Sequence, residues 1–138
     1  MKKVMITMKS IQIADNDRSE SELVTEGTYY VTEDGTHKIC YDESEATGYE
    51  GSTTVLTCIG NKYASMERRG TAPALLIIEK DKKHHCHYGT PFGEFMVGVY
   101  AHKIDNRLDE QGGDLYFRYT LDVNSTFISD NEIYIKVH

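Results

Sequence analysis

Apolar and polar residues alternate with period two along almost the whole chain, and no stretch sustains a helical period. Successive side chains of a strand point to opposite faces, so this alternation predicts strands with one buried and one wet face. Val4, Ile6 and Met8 share one parity while Ile11 and Ile13 take the other, which predicts a β-bulge near Lys9-Ser10. Asp15-Asn16-Asp17-Arg18 reads as a polar turn or loop. The next strand carries Leu23, Tyr29 and Val31, and Asp34-Gly35 supplies a tight hairpin turn.

From Thr36 to Gly70 the pattern gives two strand pairs joined by an acidic bend punctuated by Gly48 and Gly51. Ile39, Tyr41 and Glu43 fall on one face of the first strand; Ala64, Met66 and Arg68 fall on one face of the last. Two apolar stripes therefore end in charges of opposite sign. Pro73 interrupts the ladder because it lacks an amide donor. The run Leu75-Leu76-Ile77-Ile78 is apolar at every position, as in a strand buried on both sides. Thr90-Pro91-Phe92-Gly93 predicts a corner with Phe92 plugging a barrel end, and Phe95, Val97, Val99 and Ala101 then share a face. Asp105 to Gly113 reads as a polar loop, and a short loop follows Asn124-Ser125-Thr126. Between them, Leu115, Phe117, Tyr119, Leu121 and Val123 give the clearest alternation in the chain.

The sum is an all-β chain read as one domain spanning residues 1–138. Its fold is expected to be a closed or nearly closed antiparallel up-and-down barrel of about 8–10 strands, because so many edges must be paired or covered. A two-sheet sandwich is the alternative. Among the turns, Gly60-Asn61 has a composition suited to a hairpin.

Composition narrows the function. A formal net charge of -7 with no basic stripe argues against nucleic acid as a partner. Three cysteines with no Cys-x-x-Cys spacing read as reduced thiols, and no apolar run is long enough to span a membrane as a helix. The expected location is cytoplasmic.

Small closed barrels can enclose one ligand. The candidate binding set is Tyr41, Glu43 and Arg68, with Tyr88 and Tyr119 nearby, since an arginine fork and a tyrosine hydroxyl can hold a carboxylate or phosphate. In the plainer reading Glu43 and Arg68 satisfy each other. Replacing Arg68 with Met should remove ligand binding and leave the fold intact. In His84-His85-Cys86-His87 a strand puts only alternate residues on one face, so His85 and His87 are weak metal candidates and no metal is assigned. Cys58 and Cys86 fit buried core thiols better than nucleophiles, and Ser44, Ser65 and Ser125 lie in no Gly-x-Ser-x-Gly elbow. No catalytic residue and no cofactor are expected.

Several motifs, taken in order, resemble one family. Tyr41-Asp42-Glu43-Ser44-Glu45, Thr47-Gly48-Tyr49-Glu50-Gly51, Arg68-Arg69-Gly70, Tyr88-Gly89-Thr90-Pro91-Phe92-Gly93 and Gly112-Gly113-Asp114-Leu115, with Tyr119 and Leu121, are similar to the YwiB-like bacterial family. The resemblance implies a calycin (lipocalin-like) barrel with an internal cavity, and carries over no binding residue. The expected function is binding of a small anionic or amphipathic ligand in the barrel. The alternative is a packed, homodimeric protein-interaction module without such a ligand.

Overall fold

The computed structural model describes residues 2–44, 48–90 and 93–138. Ten strands follow one another: β1 (Lys2–Ala14), β2 (Asp17–Val31), β3 (His37–Asp42), β4 (Thr53–Ile59), β5 (Tyr63–Arg69), β6 (Ala74–Glu79), β7 (Lys83–Thr90), β8 (Gly93–Asp109), β9 (Gly112–Val123) and β10 (Thr126–Val137). Each pairs antiparallel with its sequence neighbours, and β1 pairs with β10, closing an up-and-down barrel. The expected closed barrel is the observed one. Phe92 and residues 45–47 of the acidic bend, with the roles expected of them, lie outside the described residues.

The barrel has two unlike ends. At one, inward side chains fill the interior: Ile6, Tyr29, Ile39, Phe117 and Ile135 are each no more than 2 % exposed. At the other end the long β1–β2, β7–β8 and β9–β10 hairpins project. Asp15 and Asn16 turn the first with φ of 50° and 65°, and Asn124 and Ser125 the last with φ of 52° and 67°. Two consecutive positive φ values make the two-residue turn that suits strand twist, and Asn and Asp tolerate it.

Three sequence expectations change. No bulge interrupts β1: its ladder to β10 runs unbroken from Ile6 to Ile13, and Ile13 simply faces solvent. The bulges lie instead at Ala101/Lys103 in β8 and Phe127/Ser129 in β10. Residues 105–109 and 126–130, read as loops, are strand; the bulges shift parity there and hide the alternation. In β6, Leu76 and Ile78 point inward, whereas Leu75 faces out, so this strand is not buried on both sides.

The β6–β7 seam is thin. Only Ala74 pairs with Tyr88 in register, and the Ile77 amide donates to Cys86 Sγ at 3.3 Å in place of a backbone carbonyl. No helix of the described chain is long and apolar enough to cross a membrane.

Candidate functional site at the barrel mouth

Cross-strand register places Tyr41, Thr54, Arg68, Ala74 and Tyr88 in one row across β3 to β7. All have inward parity, so three of the sequence-selected residues meet in one girdle below the hairpin end. Glu43 continues the face of Tyr41 and accepts a 2.6 Å hydrogen bond from Thr54 Oγ1. Burial, then the Glu43 charge, pushes the Tyr41 hydroxyl well above the ordinary tyrosine range.

Arg68 is buried, yet no ion pair within 4 Å joins it to Glu43 among the described residues. Its Nε donates to the Ala72 carbonyl at 2.6 Å and its Nη2 to the Gly89 carbonyl. Its guanidinium lies 3.6 Å from the Tyr49 ring centroid and 5.2 Å from that of Tyr88. Buried charge is thus balanced by carbonyl dipoles and two aromatic faces, not by a carboxylate. The chain approach that permits this depends on Gly89, whose missing Cβ would strike the Pro73 carbonyl oxygen. Ser52, Thr71 and Glu50 knit the bend to the β5–β6 connection, with Ser52 Oγ 3.1 Å from Thr71 Oγ1 and Thr71 Oγ1 donating to the Glu50 carbonyl at 3.1 Å. Tyr49, not among the sequence candidates, carries the contact; its hydroxyl lies 3.4 Å from that of Tyr88, and burial raises its pKa to about 12.

Beside this girdle lies a cavity of about 400 Å³ lined by Ser10, Gln12, Ser19, Ser21, Tyr88, Tyr119 and Asn131, over Leu76, Leu121 and Ile133, with Ile11 and Glu20 at its edge. Tyr88 and Tyr119 reach it; Tyr41, Glu43 and Arg68 do not line it. The Tyr119 side chain is 6 % exposed, and no described residue hydrogen-bonds its hydroxyl. Since no fully occluded side-chain nitrogen or oxygen among the described residues lacks a partner, that hydroxyl opens onto the cavity. Burial drives its pKa far above the ordinary value, so it stays a neutral donor.

The serines, Gln12 and Asn131 escaped the sequence reading because polar side chains at inward positions look like loss of strand pattern. The signal lay in the parity, which continues from Met8 through Ser10 to Gln12 and from Leu23 through Ser21 to Ser19.

The other candidates sit elsewhere. His85 and His87 are exposed on β7; His87 Nε2 lies 3.2 Å from Glu94, while His84 Nε2 lies 2.9 Å from Glu79. Among the described residues no three His, Cys, Asp or Glu side chains gather as a metal site. Burial lifts the Cys58 thiol to about 12 and raises that of Cys86, which suits core packing and not thiolate chemistry.

A family model described as a domain of unknown function (DUF1934) matches residues 6–135. The crystal structure of the ywiB protein from Bacillus subtilis superposes with a TM-score of 0.75 at 18% identity, covering 99% of this chain and 92% of that one. At that identity the likeness speaks for the fold. No match to a curated protein was found.

Proposed function

The chain belongs to the DUF1934 family, and from its half-enclosed mouth we propose that it binds a small amphipathic molecule there. The carrying observation is the Tyr119 hydroxyl, which no described residue hydrogen-bonds, on a side chain 6 % exposed that lines a cavity of about 400 Å³, a size within the range of ligand pockets. Leu76, Leu121 and Ile133 add apolar surface among the polar groups of the lining, so a ligand with an apolar body and a polar end suits it. Arg68 and Tyr41 support the wall in this reading, and Arg68 positions Tyr88 through its guanidinium. Three unbridged cysteines agree with a reducing, cytoplasmic home.

Native mass spectrometry of freshly purified protein, beside a denatured sample, tests the proposal. A mass released by denaturation, and lost in Leu121→Trp, is the expected result. Bare protein that also fails to take up N-phenyl-1-naphthylamine, a neutral fluorescent probe, overturns it.

A second reading, contact through the outer surface, rests on the exposed side of β9 and β10. There the rings of Tyr116 and Tyr134 lie 4.7 Å apart, with Lys103 Nζ 5.9 Å from the Tyr116 centroid. Exposed tyrosines of this kind suit interfaces, and a homodimer in the same native spectrum would favour this reading.

A further inference from the structure

Resting on the proposal that the mouth binds a small molecule, we infer that the ligand is uncharged and presents an amide-type edge, one hydrogen-bond donor beside one acceptor. Tyr119 on β9 and Asn131 on β10 are direct cross-strand partners, both inward and both 6 % exposed. The Asn131 amide nitrogen donates to the Tyr119 backbone carbonyl at 3.4 Å and to Ser129 Oγ at 3.0 Å. A carbonyl only accepts, so these bonds fix which end of the amide faces the wall. Asn131 Oδ1 takes the remaining direction, and no described residue hydrogen-bonds it. It therefore stands open, an acceptor lining the same cavity as the donor hydroxyl of Tyr119.

Charge selects further. The ionisable side chains at the cavity are Glu20, Tyr88 and Tyr119; none is a cation. Glu20 is held at 2.5 Å by Arg18 and at 3.8 Å by Lys9, so those cations are already engaged at the rim. Arg68 has committed Nε and Nη2 to backbone carbonyls and lies outside the lining. An anion entering this space would lose its hydration and meet Asn131 Oδ1 without a compensating positive group. A primary amide or lactam meets both open atoms: its N–H reaches Asn131 Oδ1 and its carbonyl accepts from Tyr119.

Two probes of equal length, hexanamide and hexanoate, separate the cases when titrated at neutral pH into the full chain and followed by amide chemical-shift changes. Hexanamide is expected to shift the signals of residues 119–131 and to bind at least about tenfold more tightly than hexanoate. Tyr119→Phe, which keeps the ring, and Asn131→Leu should each weaken hexanamide about fivefold to tenfold, the span of one neutral hydrogen bond. Hexanoate binding as tightly as hexanamide, or tighter, overturns the uncharged-ligand inference while the mouth remains a binding site. Hexanamide binding that neither variant changes overturns the assignment of these two residues. If neither probe binds while N-phenyl-1-naphthylamine is taken up, this inference falls and the mouth remains a binding site; if that probe fails too, both fall.

Discussion

The Arg68 guanidinium lies between two tyrosine faces, 3.6 Å from the ring centroid of Tyr49 and 5.2 Å from that of Tyr88. The guanidinium thereby clasps the bend before β4 to the end of β7. Arg68→Met should therefore cost stability, contrary to the sequence-based expectation. It strands the Ala72 and Gly89 carbonyls and removes both ring contacts, a loss of about 2–6 kcal/mol at 1–3 kcal/mol per orphaned group. Arg68→Lys should recover little, since an ammonium cannot reproduce the planar fork. Urea midpoints measure this; a change below about 0.5 kcal/mol, the ordinary surface scatter, would refute the clasp.

Gly89→Ala should also destabilise, because the added methyl meets the Pro73 carbonyl oxygen, whose bond from the Gly89 amide is 2.8 Å. About 1–3 kcal/mol is the usual cost of such overpacking. Gly60→Ala makes the contrast: nothing lies near its absent Cβ, and only its φ of 55° opposes the substitution. Paired thermal melts should show Gly89→Ala losing more.

Alkali should expose the buried tyrosines. Tyr29 and Tyr49 are both pushed up to about 12, mainly by burial, against an ordinary value of 10.0. An unfolded tyrosine loses its proton first, so above about pH 10 the folded state holds more protons and stability falls as pH rises. Their contribution is complete below pH 10.0 and gone once the folded groups titrate near 12. Ultraviolet tyrosinate absorbance should rise in two stages, the second coincident with loss of circular dichroism. A single stage near the ordinary value would contradict the burial.

Thiol chemistry gives a further check. Cys58 and Cys86 are buried with raised pKa values, whereas Cys40 is half-exposed on the barrel's outer face. A disulfide reagent should label Cys40 first in native protein and all three cysteines after denaturation. Cys86→Ala should cost about 1–3 kcal/mol by orphaning the Ile77 amide at the thin β6–β7 seam, and Cys86→Ser, which restores an acceptor, should cost less.

The serine pair at the mouth yields the opposite sign. Ser10 and Ser21 face each other across β1 and β2, one step beyond Met8 and Leu23. Changing both to Val extends the apolar stripe, but Ser10 is half-buried and Ser21 exposed, so the gain in stability should stay below about 1 kcal/mol, the value of one buried methylene. It should also abolish uptake at the mouth. Stabilisation with binding intact would show that the serines serve something other than the cavity.

What the sequence revealed and concealed follows from one physical rule. Period-two alternation reports burial on one face, so Leu115, Phe117, Tyr119 and Leu121 announced their strand and shared a face, which the structure turns inward. The cavity wall broke that rule, because Ser19, Ser21 and Asn131 are polar residues on that face and left no apolar alternation to read. Arg68 was placed on the right face but given the wrong partner. Parity shows where a side chain points; it does not show that Ala72, Gly89 and Tyr49 arrive from other connections to meet it.

The ladder between β1 and β10 has a kinetic consequence. It joins residues at opposite ends of the chain: Thr7 Oγ1 contacts His138 Nε2 across a separation of 131 positions, and the Met5 amide donates to the His138 carbonyl at 2.7 Å. Loop-closure entropy must be overcome before so distant a contact can form, which places this architecture among slow folders. While a ribosome is still releasing β10, the β1 edge that it will cover stays unpaired and open to other chains. Refolding yield should therefore fall with protein concentration, and the edge that completes the barrel is the one most exposed until β10 has been made.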